Sequence, residues 1–595
     1  MTAFTMYFRR TWTIPLILLC ALLISLCGCD TPDGRESGAD NTSDPSSVNG
    51  GPGSKTNGLS PELLPEGGIY RSETEIVLSL PENAPAGAFI AYTENGDEPD
   101  ADSEKYARPI VASESKVIRA ALFSAKGEQL GQIVTGTYII SADIDIRVVA
   151  LAVDNADLYS KETGILANRS GSGSEWERPA SVEIYEPDGK LMLRQDAGIR
   201  LAGSGSRSFD PASLRIIARK PDEFDETGLK YSGSGKFHAD LFGDGFTEYD
   251  RFLLRNGGND SPHQARENFL RMNLLRDCIA NEYCLGLSER TGISVFAQRC
   301  VPVCVYLNGE YYGMAVMKED FDERLIAERY GLDKEKITVI KGKKLYYQVE
   351  AGVQAELDSW LGLCEYAIDN ALAPDYAAAY EYVAGQIDID NAAAYLASML
   401  YLCNTDWPQN NAMVWRYTGG GPDVSATAFS DGKWRFVIRD MDLCFALHDE
   451  PSRVSKTTYS MADTDTFYRL LVFYREGKGY DFDSSTGLYG DDMKLQGLFD
   501  FLLRSEEFRT EFTHFCDVLC LQEEAGYITE TALFYKSLVE NEIKRHIELW
   551  KSRGEIYAAY TFSHWEKSFN DISEFAAERA EYFRKYLEET LRYYA

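Results

Sequence analysis

The spacing of apolar residues changes along the chain, and that change limits the folds open to it. From about Pro65 they come in short alternating runs broken by turn residues: Glu75-Ile-Val-Leu-Ser-Leu80, Ala88-Phe-Ile-Ala-Tyr92-Thr, Val117-Ile-Arg-Ala-Ala-Leu-Phe123 and Gly136-Thr-Tyr138-Ile-Ile. A period of two places alternate side chains on opposite faces, so these runs predict strands at the spacing of a sandwich. Strand patterns continue in Ala197-Gly-Ile-Arg-Leu-Ala and Ser213-Leu-Arg-Ile-Ile-Ala-Arg. Towards the C-terminus the apolar positions fall three and four apart, as in Leu495-Gln-Gly-Leu-Phe-Asp-Phe-Leu-Leu and Phe575-Ala-Ala-Glu-Arg-Ala-Glu-Tyr-Phe-Arg. That is a helical period. The order predicts a multidomain chain: a small all-β sandwich over 65–141, then an α+β body over 142–595. Within the body, 142–330 is expected to be a β-rich lobe and 331–595 a mostly helical C-terminal lobe.

The first 29 residues read as an address rather than a fold. Arg9 and Arg10 precede a nearly all-apolar run from Thr11 to Gly28, which ends in Leu26-Cys27-Gly28-Cys29 and an abrupt polar turn. The run is marginal in length for a membrane span and has the layout of a processed signal peptide. Leu-x-Gly-Cys resembles the bacterial lipoprotein box, in which the Cys becomes the lipid-modified first residue of the mature protein. That resemblance implies lipidation at Cys29 and a cell-membrane lipoprotein facing outside the cytoplasm. Nine cysteines follow Cys29, an odd and sparse set without Cys-x-x-Cys. It predicts buried free thiols rather than a disulfide scaffold or a zinc knuckle.

Residues 30–64 are rich in Gly, Ser, Asn, Asp and Pro and are expected to form a disordered tether. Beyond it, Gly68-Ile-Tyr70, Tyr92-Thr-Glu-Asn-Gly96-Asp-Glu-Pro99, Tyr106-Ala-Arg-Pro109 and Gly136-Thr-Tyr138 resemble the chitobiase-type immunoglobulin-like domain. The resemblance implies an accessory module, a spacer or a weak glycan contact. With 60 Lys and Arg against 93 Asp and Glu, the formal charge of −33 argues against nucleic-acid binding and against docking on anionic lipid through a basic face. Six His, none in a His-x-x-x-His pair, leave little room for a His-rich zinc enzyme.

Chemistry concentrates in Asn404-Thr-Asp406-Trp-Pro-Gln-Asn410-Asn411, followed by the strand patterns Met413-Val-Trp-Arg-Tyr417 and Trp434-Arg-Phe-Val-Ile, then Arg439-Asp440-Met-Asp442. Asp406 and Asn411 have the Asp-x-x-x-x-Asn spacing of a protein-kinase catalytic loop, and Asp440 follows an apolar strand, where kinases hold a metal-binding Asp. Phosphoryl transfer needs a carboxylate to take the hydroxyl proton, and an amide and a carboxylate on the metal. Turn-capping and solvated loop acids explain the same residues equally well. No Gly-x-x-x-x-Gly-Lys-Ser/Thr loop is present, and Gly203-Ser-Gly205 and Ser232-Gly-Ser-Gly235 read as hairpin turns.

From about residue 145 to the C-terminus the chain resembles the CotH kinase family, the spore-coat-protein-H group of atypical secreted kinases. The matching stretches are Gly198-Ile-Arg-Leu-Ala-Gly203-Ser-Gly-Ser-Arg207, Phe252-Leu-Leu-Arg255-Asn256-Gly-Gly-Asn259-Asp260, Val305-Tyr-Leu-Asn308-Gly309-Glu-Tyr-Tyr312-Gly313-Met-Ala-Val-Met-Lys-Glu319 and 406–442. The resemblance implies an atypical protein-kinase-like body that uses ATP with Mg²⁺ or Mn²⁺ on Ser or Thr of proteins at the cell surface. It implies Asp406 as catalytic acid, Asn411, Asp440 and Asp442 at the metal, and Arg207, Arg215 and Glu319 at ATP. Two departures point the other way, to a weak or inactive surface-binding protein. Ala212 stands where the family often has Lys before Ser-x-Arg, and Leu-Cys-Phe-Ala follows Asp442 where a Gly is usual. A glycosidase using Asp406 and Asp440 as acid and base is a third reading, prompted by the accessory module.

Overall fold

In the computed structural model, residues 59–595 are described except 142–143, 224–229, 268, 344–345, 409, 420–428, 448–460, 476–481, 484–487 and 490–491. The signal segment 1–29 with Cys29, and the tether up to residue 58, lie outside the described residues.

The alternating runs near the N-terminus form β1 (Glu62–Leu64), β2 (Gly68–Tyr70), β3 (Thr74–Ser79), β4 (Phe89–Thr93), β5 (Glu104–Lys105), β6 (Ile110–Ala112), β7 (Lys116–Phe123) and β8 (Val134–Ile140). One sheet has the order β1-β3-β6, the other β2-β8-β7-β4-β5. Ile76 and Leu78 of the first sheet meet Ile90, Ile118, Leu122 and Tyr138 of the second in one apolar cluster. The sandwich begins earlier than composition indicates. Leu63 is only 6% exposed, and β1 pairs with β3 in the register Glu62↔Ser79. One buried leucine and three paired residues recruit a segment whose average composition reads as linker.

The next strands are β9 (Arg147–Ala152), β10 (Arg178–Tyr185), β11 (Leu191–Leu201), β12 (Leu214–Ala218), the short pair β13 (Phe237–His238) and β14 (Glu248–Tyr249), β15 (Arg251–Arg255), β16 (Cys300–Leu307) and β17 (Glu310–Glu319). Seven of them close into a barrel in the order β10-β11-β12-β15-β17-β16-β9. The β15 sequence Arg251-Phe-Leu-Leu-Arg255 shows the logic: Phe252 and Leu254 are buried inside, while Arg251, Leu253 and Arg255 face outward. Asn308-Gly309 makes the two-residue β16–β17 turn, with φ of +53° and +84°. Two successive positive φ angles favour Asn-Gly at such a turn.

The sandwich is locked to the barrel. The Asn155 amide donates to Asp97 Oδ1 at 2.9 Å, and the Tyr231 hydroxyl donates to Glu98 at 2.6 Å. Buried Glu183 accepts from the Thr137 amide at 2.7 Å and from Arg194 at 2.8 Å. Asn308 bonds both backbone groups of Val153 at 2.8 Å, and Gly96 lies so close to it that a Cβ would sit 2.2 Å away.

Helix α1 (Arg276–Thr291) lies between β15 and β16 in sequence, and α2 (Glu323–Tyr330) follows β17. A second sheet, β19-β18-β20-β21, is built from β18 (Ile337–Lys343), β19 (Tyr346–Ala351), β20 (Met413–Tyr417) and β21 (Arg435–Phe436). Between β19 and β20 run α3 (Gln354–Asn370), α4 (Tyr376–Ala384) and α5 (Ile389–Tyr401), and the chain ends in α6 (Asp492–Leu502), α7 (Glu506–Leu519), α8 (Gln522–Ser552) and α9 (Phe562–Tyr594). The C-terminal region is helical as its period predicts, yet β18–β21 interrupt it and α8 returns to the barrel. There the β16–β17 register slips near Tyr306. The Met314 amide donates to His546 Nδ1 at 3.0 Å, and Trp550 Nε1 donates to the Tyr312 carbonyl at 3.1 Å. Gly313, at φ +128°, leaves room for both, since a Cβ would sit 2.8 Å from Trp550 Nε1.

All nine described cysteines are free and buried, as their apolar settings predict. Among the described residues no helix is long and apolar enough to cross a membrane.

Candidate functional site

Asp406 sits on the loop that leaves α5 and enters β20. Asn404 caps this loop: its Oδ1 accepts from the Asp406 amide at 3.0 Å, while its Nδ2 donates to the Asp440 carbonyl at 3.2 Å. The Thr405 amide donates to the Leu443 carbonyl at 3.1 Å, so the two acid-bearing loops are laced together. The Asp406 carboxylate is braced on both oxygens, by Asn410 Nδ2 at 2.9 Å and Asn411 Nδ2 at 2.8 Å. Asn411 and Asp440 both adopt left-handed backbone, with φ of +64° and +51°. Such residues cost roughly 1 kcal/mol or more apiece, a strain typical of sites where geometry is held for function.

Asp440 and Asp442 differ in their surroundings. Burial works to raise the Asp440 carboxyl, but Arg255, Lys318 and Arg439 outweigh it and hold it below the usual carboxylate range. Arg255 reaches Asp440 at 3.0 Å and Asp442 at 4.0 Å. Asp442 is pushed well up, first by burial and then by Asp440 beside it. Its Oδ2 accepts from the Asn259 amide at 2.8 Å, and Gly258 at φ +58° passes so close that a Cβ would sit 2.2 Å from that oxygen. Two acids crowded in this way, one of them raised by burial and by the other, fit a divalent cation. Among the described residues no group of three or more acid, His or Cys side chains converges. The donor set therefore suits a hard ion that keeps oxygen ligands from water or substrate.

The facing wall is the outside of the barrel, and it carries the cations. Arg215 on β12, Leu253 on β15 and Lys318 on β17 are direct cross-strand neighbours and face the same way. Arg215 pairs with Asp320 at 2.7 Å. Lys318, 3% exposed, pairs with Asp277 of α1 at 2.5 Å. The other Asp277 oxygen accepts from Asn281 Nδ2 at 2.8 Å and from the Met441 amide at 2.9 Å, which ties α1, β17 and the Asp440 loop together. Together these elements line one cleft of about 640 Å³ that includes Arg207, Arg215, Arg255, Lys318, Asp406, Asn411, Asp440 and Asp442.

Two sequence expectations are corrected. Glu319 does not line the cleft. Its neighbour Lys318 does, so strand alternation turns Glu319 to the barrel side, where it is 1% exposed, accepts from the Arg299 amide at 2.9 Å and pairs with Arg329. Ala212 is not a vacant cation position. It is 5% exposed among Leu214, Leu254, Tyr312 and Met314, and its amide donates to the Tyr312 hydroxyl at 3.0 Å. A lysine there would put its ammonium in an apolar pocket.

Arg207 does line the cleft, but its guanidinium holds the carbonyls of Gly203 at 2.7 Å, Gly171 at 2.5 Å and Leu201 at 3.3 Å. It shapes the loop between β11 and β12, which is longer than the hairpin turn expected from its glycines. Sequence reasoning missed Arg255, Lys318, Asp277, Lys341 and Arg439. The available signal was alternation: Arg-x-Leu-x-Arg on β15 and Val-x-Lys-x-Asp at the end of β17 are charged patterns on strands whose other face is buried.

Residues 199–583 match the family described as CotH kinase protein, and residues 65–135 match the chitobiase/beta-hexosaminidase C-terminal domain. No curated protein matches the chain.

Proposed function

Because the chain belongs to the CotH kinase protein family, we propose that it transfers phosphate from ATP to Ser or Thr of a protein substrate. The observation that carries this reading is the convergence of the amide-braced Asp406 and the Asp440–Asp442 pair on one cleft floored by Arg255 and Lys318. Asp406, fixed by Asn410 and Asn411, accepts the hydroxyl proton of the acceptor and orients its oxygen. Asp440 and Asp442, with the Asn411 amide oxygen, would hold Mg²⁺ or Mn²⁺, which neutralises triphosphate charge when bound. Arg255 and Lys318 face the phosphates and stabilise the charge that spreads over the transferring group. Arg215 extends this wall, and Arg207 holds the loop beside it.

We place the protein outside the cytoplasm as a membrane lipoprotein anchored through Cys29, on the strength of Leu26-Cys27-Gly28-Cys29. The sandwich then acts as a fixed support for the body. The Asp97–Asn155, Glu98–Tyr231 and Thr137–Glu183 bonds and the close approach of Gly96 to Asn308 favour that role over a swinging spacer, and a weak glycan contact is compatible with it.

The test is radiolabel transfer from ATP to the protein itself and to a generic acceptor, with Mg²⁺ and then Mn²⁺, beside calorimetric ATP binding. Asp406→Ala should abolish transfer and leave nucleotide binding largely intact, while Asp440→Ala should weaken both. No ATP binding by the wild type with either metal refutes the kinase reading and leaves a surface-binding protein.

A further inference from the structure

The cleft is electrically polarised beyond what the acid pair and its facing cations account for. Lys341 on β18 and Arg439, just before the left-handed Asp440, both line it. Lys341 is 6% exposed and has one acid partner, Glu350 at 2.9 Å, which is itself solvent-exposed. Arg439 is half-buried and, among the described residues, makes no ion pair or side-chain hydrogen bond. A guanidinium carries five donors, and withdrawing them from water without acceptors is unfavourable. Most other cations of the cleft are matched: Arg215 by Asp320, Arg255 by Asp440 and Lys318 by Asp277.

The field around this corner has a definite sign. Burial and then Arg439 push the Lys341 ammonium down. Asp320 nearby is held down to about 2 although burial opposes it, because Arg215, Lys341, Arg251 and Arg439 surround it. Asp440 and Asp442 share Arg255, whereas Arg215, Lys341 and Arg439 together share two acids, Asp320 and Glu350.

We propose that Arg439 and Lys341 form a distinct oxyanion subsite in the cleft, one that takes a phosphate or carboxylate group without a metal ion. A planar Arg fork beside a Lys point charge suits bidentate binding of such a group. Whether the oxyanion belongs to the nucleotide or to an acidic side chain of the acceptor depends on the kinase reading; the subsite itself does not.

The probe is inorganic pyrophosphate with EDTA present, followed by thermal shift on the full chain. Wild type should be stabilised in a saturable way, and Arg439→Gln and Lys341→Gln should each raise the half-saturating concentration at least tenfold. Arg439→Gln should melt near wild type without ligand, since no bond is lost. Two further arms assign the source. A tenfold weaker Mg·ATP isotherm in Arg439→Gln assigns the group to the nucleotide. A raised KM for a Ser peptide flanked by Glu, with no change for one flanked by Gln, assigns it to the acceptor. No shift in wild type, or an equal shift in Arg439→Gln, overturns the subsite. Metal-free pyrophosphate binding in a protein that never transfers phosphate would retain the subsite and reject only the kinase reading.

Discussion

Replacing Lys318 with Met tests whether its ion pair serves the fold, the ligand or both. Lys318 and Asp277 are 3% and 6% exposed and 2.5 Å apart. The ammonium is held above its usual value because Asp277, aided by Asp440, outweighs the opposing effect of burial. Lys318→Met fills similar volume but strands the Asp277 carboxylate, and removing one partner of a buried pair costs about 3–5 kcal/mol. Adding Asp277→Asn removes the stranded charge. Both hydrogen bonds from Asn281 and Met441 go to Asp277 Oδ1, an acceptor that an Asn can reproduce. The double variant should therefore recover to within about 1–2 kcal/mol of wild type. It should not recover Mg·ATP binding. Losing one charge-assisted contact of about 1.5–3 kcal/mol predicts an affinity roughly 10- to 100-fold weaker in single and double variants alike. Urea unfolding gives the first comparison and calorimetry the second. A double variant as unstable as Lys318→Met would refute the coupling, and one that binds Mg·ATP like wild type would remove Lys318 from the phosphate site.

His546 is pushed down to about 3 by burial and stays neutral, accepting from the Met314 amide. Its contribution is complete above its ordinary value near 6.5 and is lost as pH falls from there towards 3, since only the unfolded chain takes up the proton; about 1.4 kcal/mol is gone by pH 5.5. His546→Phe should start less stable but lack this component, so equal pH slopes in paired urea titrations would count against it. Gly258→Ala should displace Asp442, given a Cβ 2.2 Å from its Oδ2 and a φ of +58°; Mn²⁺ affinity should fall at least tenfold by calorimetry, and an unchanged affinity would take Asp442 away from the metal. Cys29→Ser should release or mislocalise the protein, because the two or three acyl chains of a lipoprotein are then lost together. If the variant still fractionates with membranes and retains residues 1–28, the segment is an ordinary anchor.

Much of this molecule was legible from local pattern. The sandwich strands, the Asn308-Gly309 turn, the terminal helices and the order Asp406, Asn411, Asp440 all depend on neighbours within a few residues. Of the cleft's cations, Arg207 and Arg215 were reached through the family resemblance, whereas Arg255, Lys318, Lys341 and Arg439 were not legible. Alternation shows that Arg255 and Lys318 leave the barrel interior, but an outward side chain meets either water or the cleft, and only packing decides which. Glu319 shows how sharp that limit is, since one residue of strand parity separates a cleft-lining side chain from a buried one. Closure of the barrel was equally hidden, because β9 pairs in parallel with β16 across about 150 residues of sequence.

The buried thiols have a consequence for how long such a protein lasts where oxidants are present. Burial raises Cys278, Cys304, Cys444 and Cys516 well above the ordinary thiol value and Cys284 to about 12. The thiolate, the form that reacts, is therefore scarce in the folded chain. Oxidation must wait for the chain to open. Durability under an oxidising challenge thus becomes a matter of how often the body breathes, and each cysteine acts as a clock for the segment that covers it. Slow-labelling positions would mark the parts of the body that open last.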